Sequence, residues 1–117
     1  MRLAQWYEKI REQFNNDGIK VVFKQPSPSS ILPLVHVGPH TDLDVSTKTA
    51  TLNEVDQQIN IWCESTMAPA DFEDYVQKVK WSLSKVGRWD NLTTQTMFDD
   101  SSGRDLRRAL LMITITI

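Results

Sequence analysis

The sequence predicts a single α+β domain with two helices packed on one face of an antiparallel or mixed β-sheet. Two segments repeat apolar residues every three or four positions, which is the period of a helix with one buried side. Other segments alternate apolar and polar residues, which is the period of a half-buried strand. The order helix, strands, helix, strands is typical of α+β folds. A chain of 117 residues is long enough for one domain, residues 1–117, and too short for two.

The N-terminal part is expected to form one helix and one strand. Residues 2–15 place large apolar side chains on one helical face: Leu3, Trp6, Tyr7, Ile10 and Phe14. The sequence NNDG ends this helix, because Gly18 can adopt the left-handed conformation. The following IKVVFK, residues 19–24, predicts a strand that buries Ile19, Val21 and Phe23.

A second short strand is predicted over residues 31–38, ILPLVHVG. Pro33 favours a position at the sheet edge, because proline cannot donate a ladder hydrogen bond. Gly38 and Pro39 are expected to end this strand. Residues 39–52 are polar and rich in threonine, and two interpretations stay open for them: a mobile loop or one arm of a hairpin.

The middle of the chain has the clearest patterns. Residues 54–63 predict a strand with a mostly apolar face of Val55, Gln57, Ile59, Ile61 and Cys63, and an opposite face that is polar except for Trp62. The second helix starts at Pro69 in its first turn and is expected to end with Gly87 as its C-cap. Its apolar stripe comprises Phe72, Tyr75, Val76, Val79, Leu83 and Val86.

The last two strands are predicted to form a C-terminal β-hairpin. Residues 91–100 and 107–117 flank the turn signal DDSSGR, which contains Gly103. The strand at residues 54–63 and the final strand are expected to be the central ones of the sheet.

Composition excludes several classes of protein. Thirteen Lys and Arg oppose fifteen Asp and Glu, so the net charge of −2 gives no general attraction to nucleic acid. Cys63 is the only cysteine, which excludes an internal disulfide and favours a reducing, intracellular origin. The N-terminus MRLAQWYEKI lacks the apolar core of a secretory signal. No apolar run approaches the ~20 residues of a membrane span.

The densest group of chemically active side chains is His36, His40, Asp42 and Asp44. Imidazole and carboxylate groups together could bind a metal ion or transfer protons. No second cluster of His, Cys or Glu completes such a site, so a polar loop or a subunit contact is the favoured interpretation. We therefore predict that the chain has no catalytic residue, no metal and no cofactor.

Other residues are candidates for contacts rather than chemistry. Cys63 alternates onto the core face without a neighbouring histidine, which favours a structural role over a nucleophilic one. Trp62 lies on the polar face of its strand and Trp81 beside the apolar stripe of its helix. Exposed tryptophans often anchor protein interfaces, so both are candidate interface residues. The charged segment DDSSGRDLRR is a candidate set of ion pairs between subunits, formed by Asp99, Asp100, Arg104, Asp105, Arg107 and Arg108. Of these, Asp100, Arg104 and Arg107 are the candidate interface residues. The alternative is a charged hairpin end that prevents aggregation at the sheet edge.

Taken in order, these motifs resemble the small tail terminator, or tail completion, proteins of long-tailed phages and prophages, which are often described as minor tail proteins. The resemblance runs over nearly the whole chain. It rests on ILPLVHVGPHTDLD after the first helix, NIWCES before the second, and MFDDSSGRDLRRALLMITITI at the end. Cys63 departs from the family pattern, which often has a small polar residue at that position.

The resemblance implies a structural function at the head-proximal end of a phage tail, after assembly in the host cytoplasm. Such proteins form a ring, usually hexameric, on a finished tail tube, and the free protein can be a monomer. The ring stops tube polymerisation and meets the head connector, while DNA only passes through its channel and no membrane is involved. The segment matching residues 38–51 commonly faces neighbours or the channel in the family, so His40, Asp42 and Asp44 are expected at a contact.

Three alternatives stay open from the sequence. The first is a head-completion or connector protein at the same joint. The second is a small metal-dependent hydrolase that uses His36, His40, Asp42 and Asp44. The third is an adaptor that binds a peptide at a sheet edge and stays monomeric.

Overall fold

The computed structural model describes residues 2–46, 52–101 and 103–117. Within these ranges the elements follow the order α1 (Leu3–Asn16), β1 (Val21–Val22), β2 (Leu34–Asp44), β3 (Asn53–Glu64), α2 (Pro69–Ser84), β4 (Asn91–Asp99) and β5 (Leu106–Thr116). The strands form one sheet ordered β1-β2-β3-β5-β4, in which only the β1–β2 pair is parallel. This mixed sheet and its C-terminal β4–β5 hairpin confirm the predicted α+β class. In the same ranges, neither helix has the length and apolar character that crossing a membrane requires.

Both helices pack on one face of the sheet, as predicted. The core combines Trp6, Ile10 and Phe14 of α1 with Phe72, Val76, Val79 and Leu83 of α2. The central strands β3 and β5 supply the other half, including the predicted face Val55, Gln57, Ile59, Ile61 and Cys63, all completely buried. The apolar faces of the two helices and of the central strands pack together, because each element must remove its one large apolar surface from water. We call this side of the sheet the helix face and the other side the open face.

The ends of the helices agree only in part with the predictions made from the sequence. Pro69 occupies the first turn of α2, and Gly18 follows α1 with a φ of 71°, both as expected. Gly87 is not the C-cap of α2. The helix ends at Ser84 and its C-cap is Lys85, which has the right-handed conformation, so no glycine is needed there.

The first strand is much shorter than predicted. β1 pairs with β2 only at Val21 and Val22, and Phe23 is 46% exposed rather than buried. The chain leaves the sheet at this point because the following QPSPSS places prolines where a ladder needs N–H donors. The Phe23 ring instead lies beside Tyr7, with the ring centroids 6.1 Å apart.

The second strand is longer than predicted, and the predicted edge position is only partly correct, because β1 covers its outer side beside Val35 and His36 alone. β2 lies between β1 and β3, and it continues through Gly38 and Pro39 to Asp44. A register shift between Val37 and His40 absorbs the Gly-Pro pair as a β-bulge. The described residues on either side of the tip therefore form the arm of a hairpin. We define the arm as residues 40–46 and 52–57; residues 47–51 lie outside the described ranges.

Candidate functional site

The β-bulge decides which side of the sheet each polar residue of β2 faces. Before it, His36 pairs with Asn60, whose side chain points to the open face. After it, His40 pairs with Gln57, whose side chain is buried on the helix face. His36 and His40 therefore lie on opposite sides of the sheet.

The hydrolase centre suggested by His36, His40, Asp42 and Asp44 does not assemble, because the sheet separates its two histidines. In the part of the chain that the structure describes, no group of three His, Cys, Asp or Glu side chains is placed to hold a metal ion. Cys63 is completely buried, and burial raises the pKa of its thiol to about 12. The thiolate form that a nucleophile requires is therefore strongly disfavoured at neutral pH.

His40 attaches the base of the arm to α1. Its Nδ1 lies 2.6 Å from the Tyr7 hydroxyl, and its Nε2 lies 3.7 Å from Oδ2 of Asp42. Burial raises the pKa of Tyr7, so the phenol stays protonated and its hydroxyl can donate a hydrogen bond to the imidazole. On the same face, the buried Gln57 donates to the carbonyl of Gly38 over 2.7 Å. These contacts fix the direction in which the arm leaves the domain.

The outer part of the arm exposes both acidic and apolar side chains. Residues 41–46 are all exposed, and Leu43 is 60% exposed. Asp44 accepts hydrogen bonds from Ser46, which hold the pKa of its carboxyl below the ordinary value and keep it ionised. The described arm contains four acidic residues and no lysine or arginine: Asp42, Asp44, Glu54 and Asp56. An exposed leucine among carboxylates is a suitable surface for contact with another protein.

Trp62 is not exposed, which overturns its expected place on a polar surface. Its accessible fraction is zero, and it packs with Leu34 and Leu106 in a second, smaller apolar cluster on the open face. Leu32, from the segment that leads into β2, also packs against this cluster. The chain between β1 and β2 thus helps to cover Trp62, and strand periodicity alone does not reveal this contact.

Arg108 organises the polar part of the open face. Its guanidinium donates to Asn60 Oδ1 over 2.6 and 3.0 Å and to Asp99 Oδ2 over 2.9 Å. It also lies over the Trp62 ring, 4.9 Å from the centroid. The Asn60 amide nitrogen lies 3.4 Å from Nδ1 of His36, whose pKa is lowered by burial and by the positive charge of Arg108. His36 is therefore a neutral member of a structural network.

Sequence reasoning missed Tyr7, Asn60 and Arg108 as organising residues. Asn60 lies on the same side of β3 as Trp62, so alternation indicates their proximity. The contacts from Tyr7 to His40 and from Arg108 to Asn60 span 33 and 48 residues, and no local pattern predicts them.

The other candidate interface residues differ in their exposure and in the contacts that they make within the chain. Trp81 is 59% exposed on α2, with the Lys85 ammonium 3.3 Å from its ring centroid. Asp100 is exposed. Arg104 donates to the Ser30 carbonyl over 2.6 Å and lies 3.7 Å from Glu64, so part of its charge is satisfied within the chain.

Arg107 stacks on two aromatic rings of its own chain. Its guanidinium carbon lies 4.8 Å from the ring centroid of Phe98 and 5.5 Å from that of Phe72. Phe98 itself is 68% exposed, an apolar surface residue that the sequence patterns did not single out. Trp81 and the Phe98–Arg107 pair are thus available at the surface for contact with another molecule.

Comparison with solved structures shows a likeness of fold. A chain of a solved structure titled "Virion of native gene transfer agent (GTA) particle" has the same fold, with a TM-score of 0.56 and 18% sequence identity. The alignment covers 93% of this chain and 88% of the other. No family model matches the sequence, and no curated protein is significantly similar to it. The likeness establishes the fold over nearly the full length of both chains.

Proposed function

We propose that this chain is a structural protein of a phage-like virion, and that it closes the end of a tail tube as a ring. The observation that carries the proposal is the likeness of fold to a chain of a virion particle, with 93% of one chain and 88% of the other aligned. The order of motifs along the sequence, which resembles tail terminator proteins, supports the same role. The proposed role is structural rather than catalytic.

The shape of the molecule supports a role in assembly. The chain extends over 52 Å in one direction and only 26 and 22 Å in the others. An acidic arm with an exposed leucine provides surface that the protein's own core does not need. In the proposed ring, the arm contacts a neighbouring copy or the tube, and the tip of the tube and the head connector are the other partners.

The test measures the molar mass of the purified protein by light scattering and native mass spectrometry, with and without tail tubes. A discrete ring, or one that appears only on tubes, is expected. In electron micrographs, tubes that carry the ring should stop elongating when more tube protein is added. A protein that binds isolated heads and ignores tubes would instead be a head-completion protein. A strict monomer that binds neither would overturn the virion role.

Two double variants of equal charge change test the role of the arm. Asp42→Ala with Asp44→Ala removes two exposed carboxylates from the arm, whereas Glu73→Ala with Asp74→Ala removes two from the outer side of α2. Both pairs are exposed, so both variants should melt within a few degrees of the wild type. Only the arm variant should weaken ring formation. Equal assembly by the two variants would show that the carboxylates of Asp42 and Asp44 do not carry the contact.

A further inference from the structure

Within residues 2–46, 52–101 and 103–117, the sheet has two edges with unpaired backbone. β4 forms one of them, and all nine of its residues are exposed or half-exposed. At the other side, β1 covers β2 only beside Val35 and His36. Among the described residues, no strand pairs with the outer edge of β2 at residues 40–44.

The sequence of β4 does not protect its edge. Natural edge strands commonly carry lysine, proline or a bulge, or are very short, because unpaired backbone groups recruit other strands. β4 is nine residues long, pairs with β5 without a register shift, and contains no lysine, arginine or proline. Three of its residues are threonines, which favour extended backbone. The unpaired backbone groups of β4 can therefore form hydrogen bonds with a further strand.

The strand directions determine what fits there. β4 is antiparallel to β5, β5 to β3, and β3 to β2, so β4 and β2 run in opposite directions. If a second copy is placed in the same orientation, its β2 edge meets β4 as an antiparallel neighbour. The second copy then exposes its own β4 to a third. Such a head-to-tail contact repeats, and it closes as a ring when the rotation between copies allows it.

Charge favours this pairing over pairing of two β2 edges. Two β2 edges would bring Asp42 and Asp44 of one copy against those of the other, and like charges directly opposite one another are destabilising. In β4, residues 91–98 carry no formal charge. Pairing of two acidic β2 edges is therefore disfavoured by repulsion, whereas pairing of β2 with the uncharged residues 91–98 of β4 is not.

We propose that β4 of one copy pairs with the outer edge of β2, residues 40–44, of the next copy, so that one sheet continues around the ring. This inference rests on the proposed ring function and names the contact that builds the ring. Alternation places Thr93, Gln95 and Met97 of β4 on the open face, beside Thr41 and Leu43 of the neighbour. Thr94, Thr96 and Phe98 lie on the helix face, beside His40, Asp42 and Asp44 of the neighbour.

The test uses pairs of cysteines in the full-length protein. Leu43→Cys is combined in one chain with Thr93→Cys, Gln95→Cys or Met97→Cys, and the assembled protein is oxidised mildly. Opposite residues of antiparallel strands lie about 4.5–5.5 Å apart between Cα atoms, within the range that a disulfide bridges. At least one pair should give a ladder of covalent oligomers on a non-reducing gel. The native Cys63 is completely buried and does not compete.

The matched control pairs Leu43→Cys with Thr94→Cys, whose side chain faces the other side of the sheet, and it should give no ladder. Dimers formed by single-cysteine variants as efficiently as by the pairs would show a two-fold contact and overturn the proposal. Rings that assemble without cross-linking in any pair would overturn this contact and leave the ring function intact. Absence of any ring, with tubes present, would overturn both.

Discussion

Replacement of Trp62 by alanine is expected to destabilise the isolated chain far more than replacement of Trp81. Sequence periodicity assigns both tryptophans to surfaces, but the structure separates them. Trp62 is completely buried between Leu34 and Leu106, with the Arg108 guanidinium over its ring, whereas Trp81 is 59% exposed. The comparison therefore tests whether the open face of the sheet carries a second core.

The magnitude follows from the buried area. An aromatic side chain of this size buries about 150–250 Å², which at about 25 cal/mol per Å² corresponds to roughly 4–6 kcal/mol as an upper estimate. Measured replacements of buried Trp or Phe by Ala cost about 3–5 kcal/mol. For Trp81, the loss should stay below about 1 kcal/mol, mainly from its contact with the Lys85 ammonium.

The assay is urea unfolding followed by circular dichroism, because a fluorescence signal would change with the number of tryptophans. The free energy of unfolding of Trp62→Ala should fall by about 3–5 kcal/mol, with Trp81→Ala close to the wild type. With an unfolding entropy of about 2.1 cal/mol/K per residue, the same loss lowers the melting temperature by roughly 12–20 °C. A loss below about 1 kcal/mol for Trp62→Ala, or equal losses in both variants, would refute the burial argument.

Three further predictions concern the rest of the molecule. Hydrogen bonds from Ser82, Gln13 and Lys85 lower the pKa of Asp17 from 3.8 to about 2, so its stabilising effect is present above pH 4 and is lost as the pH falls towards 2. The difference in melting temperature between wild type and Asp17→Asn should therefore shrink as the pH falls from 4 through 2, and a constant difference would contradict this. Arg108→Met should cost about 3 kcal/mol in urea unfolding, because buried Asn60 loses its charged donor, and a loss below about 1 kcal/mol would contradict the network. Thr94→Asp should weaken ring assembly in light scattering, by placing a carboxylate beside the acidic edge of the next copy, whereas the uncharged Thr94→Asn should not; equal effects would argue against the pairing.

Much of the fold follows from local periodicity. The stripes of α1 and α2, the buried alternation of β3 and the C-terminal hairpin all appear in the structure as predicted. These elements share one property: a single face of each is apolar, and burial of that face selects both the backbone period and the side that points inward. The centrality of β3 and β5 follows from the same cause, since both carry long apolar faces.

The path of β2 did not follow from the sequence, because Gly and Pro have two structural outcomes in a strand. They can end it, as predicted, or occupy a bulge. Here the partner strand β3 continues beyond the Gly-Pro pair and supplies hydrogen bonds on the other side of the irregularity. Only the tertiary pairing selects the bulge, and with it the separation of His36 from His40.

The sequence by itself determined the class of fold, the helix face of the core, the acidity of residues 40–44 and the net charge of −2, because these depend on residue type and local period. The tertiary structure decided that Trp62 is buried, that Arg108 connects Asn60 with Asp99, and that, among the described residues, no strand pairs with the outer side of β4 or of β2 at residues 40–44. Those features require segments 9 to 48 residues apart to meet. Contacts between distant segments depend on how complete elements pack, and the composition of each segment does not specify them.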